Sequence, residues 1–156
     1  MTKRPIKSQE GRWKELREIG GFGEKYLEDF LKEEGYSVLS LNFRAPCDDC
    51  HKIMDWRKFN KLPDGIAKKY NELFFYDSKT KRSRKFYVNV RDYKEYIEKL
   101  AILPVKIYFI ITDYVKPYRT KEIYIHEVKN KEFPIVEVEH DKNKVYDLAN
   151  DIEQIR

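Results

Sequence analysis

Apolar side chains recur along this chain at two different spacings, and the alternation between them predicts an α/β domain. From Gly20 the spacing is helical: Phe22, Tyr26, Leu27, Phe30 and Leu31 fall on one face, and Gly35 just beyond reads as a stop. Residues 1–18 are polar and basic around a lone Trp13 and read as a short helix or a loose arm. Tyr36 to Leu41 predicts a strand, whereas residues 43–62 keep no period apart from one short helix around residues 55–60. After the Pro63-Asp64-Gly65 turn, residues 66–69 and 72–79 predict a hairpin about Asn71. Phe86 to Val90 alternates as a strand, and Tyr93, Tyr96, Ile97, Leu100 and Ala101 place a helix over residues 92–103. Pro104 ends that helix. Val105 to Tyr114 is almost continuously apolar, as strands buried on both faces are. Residues 122–128 and 134–139 alternate and predict two strands able to pair with each other. Val145, Leu148, Ala149, Ile152 and Ile155 predict a terminal amphipathic helix. The expected architecture is a central mixed β-sheet flanked by helices, with added C-terminal strands and a helix.

Composition narrows the classes. The 156 residues suit one domain with a real core, since 41% are apolar or aromatic. That fraction is too high for a disordered chain. No apolar run has the length of a membrane span, and the basic start Met1-Thr2-Lys3-Arg4-Pro5 lacks the apolar stretch of a signal peptide. With two cysteines and no export signal, a reducing, cytoplasmic setting is expected. The net charge of +5 is compatible with nucleic acid and equally with an ordinary surface.

The chemistry gathers on the hairpin. In a strand over residues 72–79, side chains alternate between faces, so Asp77 and Lys79 point the same way. Pairing of the two strands brings Asp64 back beside Asp77. Two carboxylates at one place repel unless a cation lies between them. An oxygen-rich site with few protein ligands suits Mg²⁺ or Mn²⁺. The ammonium of Lys79 would then orient the attacking water or help to deprotonate it, which is what phosphodiester hydrolysis needs. Singly, Pro-Asp-Gly is an ordinary turn and Asp-Ser-Lys an ordinary strand end. It is their order on one hairpin after an amphipathic helix that points to a catalytic centre.

Asp64, Asp77 and Lys79 in this order resemble the signature of the PD-(D/E)XK nuclease superfamily, with aspartate at the second acidic position. The motif order is most similar to that of archaeal Holliday-junction resolvases. It runs through Gly23-Glu24, Gly35-Tyr36-Ser37-Val38, Pro63-Asp64, Asp77-Ser78-Lys79, residues 86–103 and Pro104 to Ile111. The likeness covers about residues 20–114 and implies a restriction-endonuclease-like core. Residues 43–62 are an insertion and residues 115–156 a C-terminal extension, all within a single domain 1–156. The resemblance further implies that Glu24, at the first turn of its helix, reaches the metal through water, and that the Ser78 carbonyl is a ligand. It implies a Mg²⁺- or Mn²⁺-dependent endodeoxyribonuclease acting on duplex or branched DNA as a homodimer. The insertion, the extension and Asn89-Val90-Arg91, where resolvases often carry glutamine, leave two alternatives. One is a restriction or homing endonuclease. The other is a non-catalytic nucleic-acid-binding protein on the same scaffold.

Two further groups stand out. Lys81, Arg82, Arg84 and Lys85 follow the proposed active strand and are candidates for DNA phosphate contacts, the alternative being a solvated basic loop. Lys3, Arg4, Lys7, Arg12, Lys14 and Arg17 could form a second contact arm. Cys47, Cys50 and His51 are spaced as zinc ligands are, with His126 or His140 as a distant fourth. Two thiols flanking an acidic turn are the plainer reading. His126 itself falls in a strand pattern, where a satisfied histidine is expected.

Overall fold

The computed structural model describes residues 9–41, 62–138 and 144–156. Helix α1 (Gln9–Glu33) is followed by β1 (Ser37–Ser40), β2 (Gly65–Lys69), β3 (Glu72–Lys81), β4 (Tyr87–Asn89) and α2 (Val90–Lys99). Then come β5 (Val105–Thr112), β6 (Thr120–Glu127), β7 (Ile135–Glu137), β8 (Lys144–Asp147) and β9 (Glu153–Gln154). Six strands form a mixed sheet in the order β1-β2-β3-β5-β6-β9, in which β3 and β5 are the parallel pair. A second sheet, β4-β8-β7, is antiparallel.

Alternation along the two central strands divides the core. Phe74 and Tyr76 of β3 and Tyr108 and Ile110 of β5 pack with Leu27, Phe30 and Leu31 of α1. Phe75 of β3 and Ile107, Phe109 and Ile111 of β5 face the other way, into a cluster with Val88, Tyr93, Tyr96, Tyr146 and Leu148. The sheet thus carries α1 on one face and α2 with the small sheet on the other. This accounts for the unbroken apolar run of β5, every residue of which is buried except Lys106. Among the described residues no helix is long and apolar enough to cross a membrane.

Helix α1 departs from the predicted boundary at Gly20. It runs unbroken from Gln9 through Gly20, Gly21 and Gly23, so Glu24 lies in mid-helix and not in a first turn. The reason is tertiary. Ile19, Gly23 and Leu27 form an i, i+4, i+8 stripe that faces the sheet, and Ile19 and Leu27 are fully buried. At Gly23 the helix backbone approaches β3 so closely that a Cβ would lie 1.8 Å from Thr80 Oγ1 and 3.1 Å from Thr80 Cβ. Gly23→Ala is therefore expected to destabilise the fold by about 1–3 kcal/mol through overpacking. Adding Thr80→Ala should restore most of the loss in thermal denaturation. The far end of α1 closes as anticipated: Gly35 takes φ +94°, and the Tyr36 N–H donates to the Leu31 carbonyl at 2.9 Å.

The C-terminal region differs more. Residues 144–155 form no helix; β8 joins β4 and β7, and β9 pairs with β6. The apolar spacing there fits a helix, but turn chemistry overrides it. Asp147 Oδ1 accepts the Ala149 N–H at 3.0 Å, and Asp151 N–H closes a turn on Leu148. Nor do β6 and β7 pair with each other, because β5 and β9 occupy both edges of β6. Helix α2 spans residues 90–99, earlier than the expected 92–103, with Asn89 Oδ1 accepting the Arg91 N–H at 2.8 Å as its cap.

Candidate active site

Four elements meet where β2 begins and β3 runs on beyond it. Gly65 pairs with Tyr76, so Asp64, one residue before β2, stands beside Asp77. The turn is fixed from several directions. A Cβ at Gly65 would lie 2.2 Å from the Tyr76 hydroxyl and 2.6 Å from the Leu39 carbonyl, so only glycine fits. The Leu41 N–H donates to the Asp64 carbonyl at 2.8 Å. Ser78 lies past the last residue that β2 pairs. Its N–H donates to Asp64 Oδ2 at 2.7 Å and its Oγ at 2.9 Å. Since N–H and C=O of one residue leave a strand on the same side, the Ser78 carbonyl also emerges toward Asp64.

Asp77 is 6% exposed and faces α2. Its Oδ2 accepts the Tyr96 hydroxyl and lies 3.3 Å from Lys79 Nζ. Lys79 Nζ in turn stands 5.7 Å from the centre of the Tyr96 ring. The alternation on β3 therefore brings Asp77 and Lys79 together as expected. Glu24 contributes its charge from α1, on the far side of Asp64.

The electrostatics follow from this crowding. Burial, then the charges of Asp77 and Glu24, push the Asp64 carboxyl up to about 8, and it shares a hydrogen bond with Asp77. At neutral pH and without a cation the pair keeps a proton. Burial works against the charge of Lys79, but Asp77 and Tyr96 outweigh it and hold the ammonium above the usual lysine range. Lys79 is thus built to stay charged, which suits orienting water or a phosphate oxygen better than taking a proton. Among the described residues no group of three or more His, Cys, Asp or Glu side chains is gathered as a metal cage. Two carboxylates and one backbone carbonyl are the available donors, and they fit a hard ion that keeps several waters.

Tyr96 is the residue that the sequence reading missed as a site residue. Its place on the inward face of α2 marked it as core, and it is core. The available signal was its type: a buried tyrosine needs a partner for its hydroxyl, and the neighbouring strand carries the acid. On the nuclease function proposed below, Tyr96→Phe is expected to lower kcat/KM for DNA cleavage by about tenfold, equivalent to about 1.4 kcal/mol. The melting temperature should move by only a few degrees, which steady-state kinetics and thermal denaturation together will check.

The basic cluster divides. Lys81 ends β3 beside Lys79, and burial and that neighbour lower its pKa below the usual lysine range. The Arg82 guanidinium lies 4.8 Å over the Tyr114 ring. Arg84 is committed elsewhere, forked onto Glu122 with Nε at 2.9 and 3.1 Å and Nη2 at 2.5 Å. Lys85 is exposed. Cys47, Cys50, His51 and His140 lie outside the described residues, as do Lys3, Arg4 and Lys7. His126 is fully buried with both ring nitrogens engaged, Nε2 with the Tyr93 hydroxyl at 2.8 Å and Nδ1 with the Asp151 carbonyl at 2.6 Å. A carbonyl only accepts, so Nδ1 carries the hydrogen and Nε2 accepts from Tyr93. This is a satisfied core histidine.

The chain is similar in structure to Hjc from Archaeoglobus fulgidus, a Holliday junction resolvase, with a TM-score of 0.54 over 87% of this chain and 91% of that one. This is the fold of an archaeal Holliday junction resolvase. At 11% identity the likeness establishes the fold alone, and the chemistry rests on the residues just described. In sequence, the chain is 37% identical over 70 residues to a UPF0102 protein of Caldicellulosiruptor saccharolyticus and 34% identical over 71 residues to one of Caldicellulosiruptor bescii. The chain spans about half the length of these relatives, 48% and 49%. No protein-family model matches it. At one end of the parallel strand pair the acid before β2 stands beside the acid and lysine of β3.

Proposed function

We propose that the chain is a divalent-metal-dependent DNA endonuclease, with Mg²⁺ or Mn²⁺ as its ion. One observation supports this above the rest. Asp64 and Asp77 stand side by side where β2 pairs with β3, burial first and then the Asp77 charge raise the Asp64 carboxyl, and the Lys79 ammonium lies 3.3 Å from Asp77. The structure spends hydrogen bonds and burial on holding two like charges together, and a cation resolves that conflict.

Asp64 and Asp77 would hold the ion, with the Ser78 carbonyl beside them. Such an ion supplies Lewis acidity toward the scissile phosphate and neutralises charge that develops on it. The chain's own groups do the rest. Ser78 fixes the Asp64 carboxyl through two donors, and Tyr96 fixes Asp77. Lys79 offers a permanently charged donor to the attacking water or to a phosphate oxygen. Glu24, whose charge reaches Asp64 from α1, would hold a water of the ion. Cutting both strands of a duplex takes two such centres, so a symmetric pair of chains accompanies this reading.

The substrate to test first is a four-way DNA junction, because Hjc, a solved structure similar to this chain, is a Holliday junction resolvase. Four-way, linear duplex and single-stranded DNA are incubated with Mg²⁺ or with chelator. Cleavage of the junction with Mg²⁺ alone, leaving 5′-phosphate ends, is the expected result. Cutting of linear duplex in preference to junctions would move the assignment to a restriction-type enzyme. No cutting of any substrate would leave a binding protein.

A further inference from the structure

On the α1 side of the candidate site a notch of about 160 Å³ opens between the helix and the end of β3. It is continuous with that site, since Ser78 and Lys79 line it together with Leu16, Gly20 and Glu24 of α1, Lys81 at the end of β3 and Tyr114 just after β5. At about 30 Å³ per water it holds about five waters. That is room for part of one nucleotide and not for a duplex.

Several features of the notch have no explanation within the fold. Leu16 is apolar yet 51% exposed. The Tyr114 hydroxyl donates to the Thr80 carbonyl at 2.8 Å, which fixes its ring as a wall, and the Arg82 guanidinium lies 4.8 Å over that ring. Gly20 is the most telling. Glycine weakens a helix interior, and at Gly23 the contact with Thr80 accounts for it. At Gly20 a Cβ would meet nothing within 4 Å. Packing requires glycine at neither 20 nor 21, where a Cβ would likewise meet nothing within 4 Å, but Gly20 alone of the two lines the notch, where its bare backbone leaves open floor next to Glu24.

We propose that the notch is a nucleotide subsite. It takes the sugar and phosphate of the DNA nucleotide that flanks the cut bond. Lys81 and Arg82 meet the phosphate, and Leu16 and Tyr114 meet the apolar face of the sugar or base. This rests on the nuclease reading of Asp64 and Asp77.

Two variants test it, Gly20→Leu to fill the notch and Lys81→Ala to remove a phosphate contact. Affinity for a fluorescein-labelled four-way junction and a linear duplex is measured without divalent metal, so that nothing is cut. Gly20→Leu is expected to melt at or above the wild-type temperature, to bind Mn²⁺ as the wild type does, and to lose about tenfold or more in DNA affinity. Lys81→Ala is expected to weaken binding and to lower the salt slope by about one. A folded Gly20→Leu protein with DNA affinity and cleavage within about twofold of wild type would overturn the subsite. Should Gly20→Leu fail to fold, Lys81→Ala decides, and an unchanged affinity and salt slope overturn it. If the wild type binds and cuts DNA while both variants match it, the subsite alone is lost. If the wild type neither binds nor cuts, the nuclease reading is lost and the subsite with it.

Discussion

Replacing Asp77 with asparagine is expected to lower DNA cleavage by about a thousandfold or more, a loss of at least about 4 kcal/mol of transition-state stabilisation. The same substitution should leave DNA affinity within about threefold, because phosphate contacts come from the cations around the site. Asparagine keeps the shape of the side chain and an oxygen able to accept the Tyr96 hydroxyl. What it removes is the negative charge that a divalent ion needs. It also removes the repulsion that burdens Asp64, for which Asp77 is the largest cause after burial. The substitution also takes from the Lys79 ammonium its partner at 3.3 Å, so the two effects oppose each other and the melting temperature should move by only a few degrees. Single-turnover cleavage, fluorescence anisotropy and thermal denaturation read the three quantities separately. An Asp77→Asn protein that still cuts DNA at near the wild-type rate would remove Asp77 from the chemistry.

Lys79→Met is expected to lower kcat by about a hundredfold or more, in the range seen when one donor to a transition state is lost. Methionine matches most of the length of the lysine and packs beside Tyr96 without a charge, so the fold should hold. The ion pair with Asp77 at 3.3 Å disappears, which frees that carboxylate for metal. Mn²⁺ affinity should then stay constant or rise while the rate falls. That divergence separates a group acting on the reacting phosphate or water from one that builds the metal site. If Lys79→Met lost metal affinity and rate together, the lysine would belong to the scaffold of the carboxylates. A rate within about threefold of wild type would remove it from the mechanism.

How far the sequence was legible depended on whether the deciding contacts were local. The hairpin of β2 and β3 carries its own signals, since Pro63-Asp64-Gly65 turns the chain and alternation along β3 sorts Asp77 and Lys79 onto one face. The β5 run announced a strand covered on both sides, and so it is. The failures came where distant contacts outweighed the local pattern. Three glycines in four residues looked like the start of a helix, yet the packing of Ile19 and Leu27 on the sheet carries α1 through them. The spacing from Val145 to Ile155 mimicked an amphipathic helix, but pairing with β4, β7 and β6 drew those residues into strands. Tyr96 lies 19 positions from the acid that it serves, and no spacing rule links them. Arg84 looked like a phosphate ligand until Glu122, 38 positions away, claimed it.

The most direct test is a calorimetric titration of Mn²⁺ into the metal-free protein at pH 7, repeated in buffers of different ionisation enthalpy. Burial and the Asp77 charge push the Asp64 carboxyl up to about 8, so at pH 7 the pair keeps a proton, and an ion held between Asp64 and Asp77 must displace it. One ion per chain with release of about one proton is the expected result. Release should fade above pH 8, where the proton has already left, and affinity should rise as pH climbs toward that value. Asp64→Asn should bind weakly and release none. Tight binding that releases no proton and survives Asp64→Asn would place the ion elsewhere, and the absence of binding would deny the carboxylate pair its role.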